Sequence, residues 1–469
     1  MNSIFKKYVG TKAFYMAALS VAIPIMVQNG ITNFVNMLDN IMVGIVGTEQ
    51  MTGVSIVNQL IFVFNLALFG AVSGVGIFTA QYHGSKNREG VRNTFRFKLI
   101  VGLIISAVGI IIFLLGGDYL ISLYLQGEGT PEQIVISANC AKEYLMIMLI
   151  GFVPFAVTSS YAGTLRETGE TLFPMIAGII AVCVNLAFNA VLIYGLLGFP
   201  AFGVVGAAIA TVISRFVEAV VIIWWTHRHK EKNRFIEGAF RNFRIPLSLV
   251  FSMTKKAIPL MLNETLWAGG IAILTQCYST RGFDVVAAVN IVAAISNVFN
   301  VTFIAMGNAI GIISGQMLGA GKVDEVVDSN RKLIFFTVVS CSVVGLVLAA
   351  ISPFFPLLYN TTTDIRSLAT KLILVVAIST PINALANACY FTLRSGGKTV
   401  ITVLFDSCYV WVVSVPVAFV LSRYTSISIV PLYFICHIID IIKCILGLIM
   451  IKKGVWINNI VSQEKTEAE

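Results

Sequence analysis

The chain has 469 residues, of which 57% are hydrophobic and 12% are charged, and its formal net charge is +9. Soluble domains carry about 25% charged residues, so this composition excludes an ordinary soluble protein. The positive charge does not indicate a nucleic-acid partner, because the basic residues lie in short connections between apolar segments. No G-x-x-x-x-G-K-[ST] motif is present in the sequence, which argues against ATP as an energy source.

Long apolar runs predict twelve transmembrane helices, because about 20 helical residues cross the hydrocarbon layer of a bilayer. The predicted fold class is therefore an all-α polytopic membrane protein. In chain order the spans are predicted at 14–45, 52–82, 94–117, 134–161, 170–195, 203–227, 247–280, 285–318, 332–358, 365–392, 398–422 and 428–451.

An internal repeat divides these spans into two sets of six. Residues 22–84 align with residues 257–319 at a constant offset of 235, so that Ala22-Ile23-Pro24 meets Ala257-Ile258-Pro259. Six spans is an even number, so both halves enter the membrane from the same side, as in parallel transporter repeats. We predict two pseudo-symmetric six-helix lobes, residues 1–227 and 257–469, joined by a basic cytoplasmic linker, residues 228–256.

The orientation follows from the distribution of Lys and Arg. The N-terminus, the even-numbered connections and the C-terminus hold 26 of the 32 basic residues, and the odd-numbered connections hold five. Because basic residues stay on the cytoplasmic side, this bias predicts that both termini are cytoplasmic. The linker is predicted to lie on an anionic membrane surface, which makes membrane lipids expected partners.

The first span combines a proline with a polar face. Pro24 removes a backbone donor and predicts a helix bend, and Asp39 follows fifteen residues later. The polar residues lie on two adjoining stripes of one helical face, which must point towards protein or water. This face comprises Gln28, Asn29, Thr32, Asn33, Asn36, Asp39 and Asn40. A structural carboxylate inside the bundle is one interpretation of Asp39, and a cation-binding carboxylate is the favoured one.

The next two candidate ligand groups lie in the fifth and sixth spans. Asn185 and Asn189 are four residues apart and so share one face. Thr211 follows the small-residue stretch that begins at Gly203, which suits close helix packing. Carboxylate, amide and hydroxyl oxygens are the hard ligands that Na⁺ would need. Hydrogen bonding between helices is the alternative interpretation of the asparagines.

The second half offers a further polar group. Glu264 follows Pro259 by five residues in the seventh span, and Asn383 and Asn387 lie four apart in the tenth. We expect Glu264 and Asn383, together with Asn33 and Asn36, to contribute to substrate binding or to a second polar cluster.

Three remaining acids lie within or beside spans. The spacing of Arg215 and Glu218, and of Asp440 and Lys443, predicts an ion pair on each helix. Asp406 has no predicted partner. The four histidines lack metal-ligand spacing, so no metal site is predicted beyond Na⁺ at Asp39.

Together these features resemble the multidrug and toxic compound extrusion (MATE) family over nearly the whole chain. The motifs are Pro24 with Asp39, the ends of spans two and eight at Gln81…Gly84 and Gln316…Gly319, and two Leu-Arg-x-x-Gly-x-Thr steps. These steps begin at Leu165 and Leu393. Asn185-x-x-x-Asn189 and the Gly206 to Thr211 stretch complete the pattern.

The resemblance implies an antiporter that exports organic, often cationic, compounds in exchange for Na⁺ or H⁺. The family's cation site matches Asp39, Asn185, Asn189 and Thr211. One branch uses an acid in the seventh span, matched by Glu264, and an acid in the tenth, where this chain has Asn383. No cofactor other than the coupling ion is implied.

Several other functions are weaker alternatives. A lipid-linked saccharide flippase of the same superfamily would be expected to have extra spans or a strongly basic cavity. A nutrient facilitator of another fold would carry inverted three-span repeats. An intramembrane enzyme would need a catalytic constellation, which the sequence lacks. We therefore expect a monomeric transporter, not an enzyme, in a bacterial inner membrane.

Overall fold

The computed structural model describes residues 7–125 and 130–462. Within these ranges the chain contains twelve helices long and apolar enough to span a membrane, and no β-strand. In the first half they are Lys12–Val46 (α1), Thr48–Gly84 (α2), Arg88–Leu125 (α3), Pro131–Glu167 (α4), Leu172–Tyr194 (α5) and Val204–Arg228 (α6). In the second half they are Leu247–Ser279 (α7), Phe283–Gly319 (α8), Val323–Ile351 (α9), Thr363–Ser395 (α10), Thr399–Tyr424 (α11) and Ile429–Lys452 (α12). The prediction of twelve membrane-spanning helices is confirmed.

Several helices extend beyond the apolar runs that predicted them. α3 has 38 residues, and at 1.5 Å per residue its length of about 57 Å exceeds the hydrocarbon thickness. Polar residues at the helix ends therefore belong to the same helix as the apolar run. At the start of α4, the Thr130 hydroxyl caps the helix by accepting a hydrogen bond from the backbone N–H of Gln133. Pro131 occupies the first turn, where its missing N–H removes no helical hydrogen bond.

Several helices contain local irregularities. Pro24, Pro259 and Pro381 lie inside α1, α7 and α10. A single 3₁₀ turn, Leu149–Gly151, interrupts α4. α11 contains two π-helical turns, Leu404–Cys408 and Val410–Ser414. π-Helical turns are rare in α-helices and often lie at functional sites, and Asp406 lies in the first of them.

The chain divides into two compact units. The amino-terminal unit comprises Val27–Thr79 and Arg88–Thr254, and the carboxy-terminal unit comprises Met1–Met26, Ala80–Asn87 and Lys255–Glu469. The boundary in α1 falls two residues after Pro24. The lobe boundaries at 227 and 257, inferred from the repeat, stay a prediction, since these units assign residues 1–26 and 80–87 to the carboxy-terminal side.

The core of the amino-terminal unit is aliphatic and aromatic. Phe64 of α2 stacks on Phe152 of α4 with ring centroids 3.8 Å apart, and Leu68 is fully buried. One buried ion pair joins Lys98 of α3 to Glu167 of α4. Because an unpaired charge would be very costly at this depth, each member of the pair requires the other.

The carboxy-terminal unit includes a close crossing between the end of α2 and the end of α8. A Cβ on Gly84 would lie 1.9 Å from the Gln316 carbonyl oxygen, and one on Gly319 would lie 1.9 Å from the Gln81 carbonyl oxygen. No side chain fits at such a distance, so both positions require glycine. The repeated Gln-x-x-Gly endings of the sequence therefore form one reciprocal packing contact.

The connection between α6 and α7 is ordered against α3. Arg96 of α3 donates to the carbonyl oxygens of Gly238 and Ala239, at 2.8 and 2.7 Å. Phe235 and Ile236 are buried within the connection. These contacts fix the connection to the amino-terminal unit.

Candidate functional site

The first candidate site lies in the amino-terminal unit and joins α1, α5 and α6. We define the amino-terminal polar cluster as Asp39, Asn185, Asn189 and Thr211. Asn189 donates through Nδ2 to Asp39 Oδ1 at 2.6 Å and to Asn185 Oδ1 at 3.1 Å. Asn185 in turn donates to Thr211 Oγ1 at 3.3 Å. One connected network therefore joins all four predicted residues.

The Asn185 amide bridges Asp39 and Thr211 directly when its nitrogen and oxygen exchange places. With its nitrogen towards Asp39, it donates to Oδ1 at 3.1 Å, and its oxygen accepts from Thr211 Oγ1 at 3.3 Å. The Asn189 Oδ1 atom is buried and has no hydrogen-bond partner among the residues that the structure describes. A buried amide oxygen beside a carboxylate is a suitable ligand for a small cation, because such an oxygen otherwise loses its hydration without compensation.

The partners of Asp39 are neutral. Among the residues that the structure describes, Asp39 forms no ion pair, and the one basic group that acts on it, Arg215, does so through space. Arg215 instead lies 3.7 Å from Glu218 and stacks over the Phe155 ring at 4.5 Å. The predicted pairing of Arg215 with Glu218 is confirmed. Within the described residues, Asp39 therefore has amide partners and no basic partner in contact.

Close packing of α5 and α6 positions the two asparagines. Asn185 and Asn189 are 5% and 1% exposed, respectively, on the face of α5 that meets α6. A Cβ on Gly206 would lie 2.5 Å from the Leu192 carbonyl oxygen, so the small-residue stretch allows the helices to approach. This approach carries Thr211 to the asparagines.

Other polar residues of α1 lie in different surroundings. The Gln28 side chain accepts from Arg166 Nη2 at 2.6 Å, and Asn36 is exposed. Asn33 is half-buried. Gln28 therefore links α1 to the Leu-Arg step at the end of α4, a contact that the sequence did not predict.

The second site lies in the carboxy-terminal unit, around α7. We define the carboxy-terminal polar cluster by its seven members, Asn263, Glu264, Tyr390, Arg394, Asp406, Ser407 and Lys443. Tyr390 donates to Glu264 Oε1 at 3.0 Å, and Arg394 Nη1 lies 4.0 Å from the same oxygen. Lys443 Nζ lies 2.6 Å from Asp406 Oδ1.

Asn263 connects the two acids of this cluster. Its Nδ2 atom donates to Asp406 Oδ2 at 2.9 Å and to the Tyr390 hydroxyl at 3.3 Å. Its Oδ1 atom accepts from the Ser407 hydroxyl at 2.7 Å. Hydrogen bonds therefore run from Lys443 on α12 to Glu264 on α7 without a gap.

Two sequence-based expectations about this unit need comment. The predicted pair of Asp440 and Lys443 is wrong, because Lys443 pairs with Asp406 of α11. A spacing of three residues permits contact on one helix, but a carboxylate from a neighbouring helix meets the ammonium at a shorter distance. Asn383 is half-buried and, in the described part of the chain, makes no hydrogen bond to Glu264.

The sequence did not single out Asn263, Tyr390 or Ser407 for this cluster. Asn263 carried one usable signal, since it occupies the repeat position of Gln28 at the offset of 235. The other two residues have no counterpart that would mark them, and only helix packing brings them together.

Comparison with known proteins places the chain among membrane transporters. The family model named MatE matches residues 24–191 and 259–420. A probable multidrug resistance protein of Bacillus subtilis, YoeA, is 26% identical over 88% of both chains. The probable multidrug resistance protein NorM of Thermotoga maritima is 25% identical over 97% of this chain and 96% of its own length.

A solved structure supports the fold. It is described as the outward-facing conformation of a multidrug resistance MATE family transporter of the MOP superfamily. The similarity has a TM-score of 0.84 at 19% identity and covers 97% of this chain and 99% of the solved chain. Since the family model covers well over half of a chain that folds as twelve membrane-spanning helices, the protein belongs to the MATE family of multidrug efflux transporters.

Proposed function

We propose that this transporter is a cation-coupled antiporter, with Asp39 as the carboxylate that binds Na⁺ or H⁺ and organic, often cationic, compounds as exported substrates. The observation that carries this proposal is the neutral environment of Asp39. Its nearest partners are the amides of Asn185 and Asn189, and no ion pair neutralises it within the described residues. An acid within a membrane span that lacks a basic partner is a functional site by default.

The cluster suits either coupling ion. For Na⁺, the Asp39 carboxylate, the two amide oxygens and the Thr211 hydroxyl offer four hard oxygen ligands once the amides rotate their oxygens inward. For H⁺, the Asp39 carboxylate accepts the proton and the Asn189 amide turns to accept a hydrogen bond from the carboxyl group. In both cases the bound cation neutralises a charge between α1, α5 and α6.

Coupling then follows from mutual exclusion. Cation binding alters the contacts of α1 beyond Pro24, and the two access states of the transporter differ in their affinity for cation and substrate. A membrane potential of about 100 mV supplies about 2.3 kcal/mol for each elementary charge that enters. Each net inward charge, such as one cation exchanged for a neutral substrate, can therefore sustain a substrate gradient of up to about 50-fold, since 1.4 kcal/mol corresponds to a factor of ten.

The substrate class follows from the relatives and from the second cluster. The relatives named above are probable multidrug resistance proteins, which supports small organic substrates. Glu264 is 14% exposed through its side chain and offers a carboxylate to cationic compounds. We assign it the role of a substrate anchor in the carboxy-terminal unit.

Membrane placement completes the proposal. We infer a monomer in a bacterial inner membrane, with both termini and the connection between α6 and α7 in the cytoplasm. The connection carries basic residues and the half-exposed rings of Phe240 and Phe243. Basic and aromatic side chains together suit the anionic headgroup region, which supports lipids as partners there.

The test is dye efflux from proteoliposomes containing purified Asp39→Asn protein. A Na⁺ gradient at uniform pH and a pH gradient without Na⁺ are imposed separately, and ethidium movement is recorded. We expect the wild type to respond to at least one gradient and Asp39→Asn to respond to neither. The matched control is Asp118→Asn, which removes an exposed acid paired with Lys142 and should transport normally. Normal gradient-driven efflux by Asp39→Asn would disprove the proposal.

A further inference from the structure

We propose that the Lys443 ammonium is a built-in cation of the carboxy-terminal polar cluster. It occupies the position beside Asp406 that a small monovalent cation would otherwise take. The wild-type cluster therefore exchanges no cation at Asp406, and removal of the Lys443 side chain converts the position into a binding site for a small ammonium or alkali cation.

The surroundings of Lys443 Nζ are those of a cation site. Nζ lies 2.6 Å from Asp406 Oδ1, 5.4 Å from the centre of the Phe405 ring and 6.0 Å from the centre of the Tyr409 ring. One carboxylate and two aromatic rings within this range attract a monovalent cation, most effectively where water is excluded. The Lys443 and Asp406 side chains are 11% and 14% exposed, so the site is largely desolvated.

The carboxylate is positioned without help from Lys443. Asn263 Nδ2 donates to Asp406 Oδ2 at 2.9 Å, while Ser407 holds Asn263 through its backbone amide and its hydroxyl, at 3.3 and 2.7 Å from Oδ1. Ser407 follows Asp406 in the π-helical turn of α11. Because this frame lies on α7 and α11 and Lys443 lies on α12, loss of the lysine side chain leaves Oδ1 in place and without its cation.

The covalent attachment of the Lys443 ammonium to the chain explains why a dissolved cation does not occupy the position beside Asp406. A lysine on the same chain is always present at its site, so a dissolved cation must compete against a covalently attached one of equal charge. The Lys443 ammonium then balances the charge of Asp406 without a dissolved cation. This inference concerns cation binding by the purified protein and is independent of the direction or coupling of transport, so it can fail or succeed separately from the proposed function.

The experiment measures thermal unfolding of purified protein in detergent. All variants carry Asp39→Asn, which removes the proposed coupling site, and all retain Glu264, so any cation binding at Glu264 is common to every variant and is measured with the parent protein. The added variants are Lys443→Ala and Lys443→Ala with Asp406→Asn. Ethylammonium chloride and sodium chloride are titrated separately against N-methyl-D-glucamine chloride at constant ionic strength and a single pH. Ethylammonium is small enough to occupy the volume that the alanine substitution vacates.

We expect Lys443→Ala to lower the melting temperature and ethylammonium or Na⁺ to restore at least half of the loss in a saturable manner. The variant that also lacks the Asp406 charge should respond no more than the parent protein, whose response sets the baseline. A flat titration of Lys443→Ala, or an equal response from the variant with Asp406→Asn, would overturn the proposal. If Lys443→Ala yields no folded protein, Lys443→Ser, which vacates a similar volume, is titrated in its place, and the same saturable response or its absence decides.

Discussion

The two units handle buried carboxylates in opposite ways. In the amino-terminal polar cluster, Asp39 is surrounded by amides and a hydroxyl group. In the carboxy-terminal polar cluster, Glu264 and Asp406 each face a basic side chain, Arg394 and Lys443. The difference teaches that one fold can leave a carboxylate within a membrane span without a basic partner in one unit and provide that partner in the other.

The repeated Leu-Arg step illustrates the same divergence. Arg166 donates to the neutral Gln28 amide at 2.6 Å, whereas Arg394 lies 4.0 Å from the Glu264 carboxylate. The repeat positions of Gln28 and Glu264 are adjacent. A shift of one residue along the first helix of each half therefore changes the partner of the arginine from an amide to an acid.

A second pair of equivalent repeat positions shows why the carboxy-terminal unit has space for the Asp406 side chain. At the offset of 228 that aligns Thr171 with Thr399, Asp406 corresponds to Gly178. A Cβ on Gly178 would lie 3.0 Å from the Gln28 amide nitrogen, so the longer glutamine occupies the space there. In the carboxy-terminal unit the shorter Asn263 leaves room for a carboxylate, and the carboxylate is balanced by Lys443.

The largest expected effect contrasts the same substitution in both clusters. Asp406→Asn leaves the Lys443 ammonium buried without its counter-charge, and breaking a buried pair costs about 3–5 kcal/mol of unfolding free energy. Asp39→Asn removes a charge that has no basic partner, so it should cause no comparable loss. Unfolding of both purified proteins in the same detergent checks this contrast. Equal stability of the two variants would mean that the clusters do not differ as described.

Substitution of the asparagine beside each acid should have different effects in the two units: on the ion dependence of efflux in the amino-terminal unit and on stability in the carboxy-terminal unit. Asn189→Ala removes a hydrogen bond to a charged group, worth about 1.5–3 kcal/mol, and a candidate Na⁺ ligand. The Na⁺ concentration for half-maximal efflux should therefore rise by about 10-fold or more. If protons are the coupling ion, half-maximal efflux should instead move to higher pH, because the donor that stabilises the ionised carboxylate is lost.

Asn263→Ala is the counterpart in the carboxy-terminal unit. It should lower the melting temperature, because the substitution removes the amide that joins Asp406, Tyr390 and Ser407. It should leave the ion dependence of efflux unchanged. A changed ion dependence would assign Asp406 to coupling.

A third effect separates substrates by charge. If Glu264 anchors cationic compounds, Glu264→Gln should reduce the apparent affinity for a cationic dye by about 10-fold, the equivalent of 1.4 kcal/mol. A neutral substrate should be transported with nearly unchanged affinity. Concentration series of both substrates in the same vesicles provide the measurement. An equal loss for both would indicate a role for Glu264 in folding or coupling.

The smallest effect concerns the hydroxyl group that joins the two acids. Tyr390 donates to Glu264 and accepts from Asn263, so Tyr390→Phe should cost about 0.5–1.5 kcal/mol of unfolding free energy. In a Glu264→Leu background the cost should fall, because the acceptor is already absent. Additive losses, measured as a double-mutant cycle, would show that the hydroxyl acts independently of Glu264.

Much of the fold could be predicted because its signals lie along the chain. The apolar runs predicted twelve helices, and the i, i+3 spacing of Arg215 and Glu218 predicted their pairing. The spacing of Asn185 and Asn189 placed both on one face of α5. That they meet Asp39 and Thr211 was implied by family resemblance, and the geometry brings the four together, while their role in coupling stays a prediction.

The sequence by itself determined which residues share a helical face, since 3.6 residues per turn fix that relation within every helix. Only the tertiary structure decided which faces meet. In the tertiary structure Lys443 pairs with Asp406 and not with Asp440. Asn263, Tyr390 and Ser407 form one hydrogen-bonded network. Gly84 packs against the backbone of Gln316. The physical reason is that a contact within one helix depends on a fixed local geometry, whereas a contact between helices depends on the packing of every side chain that lies between them.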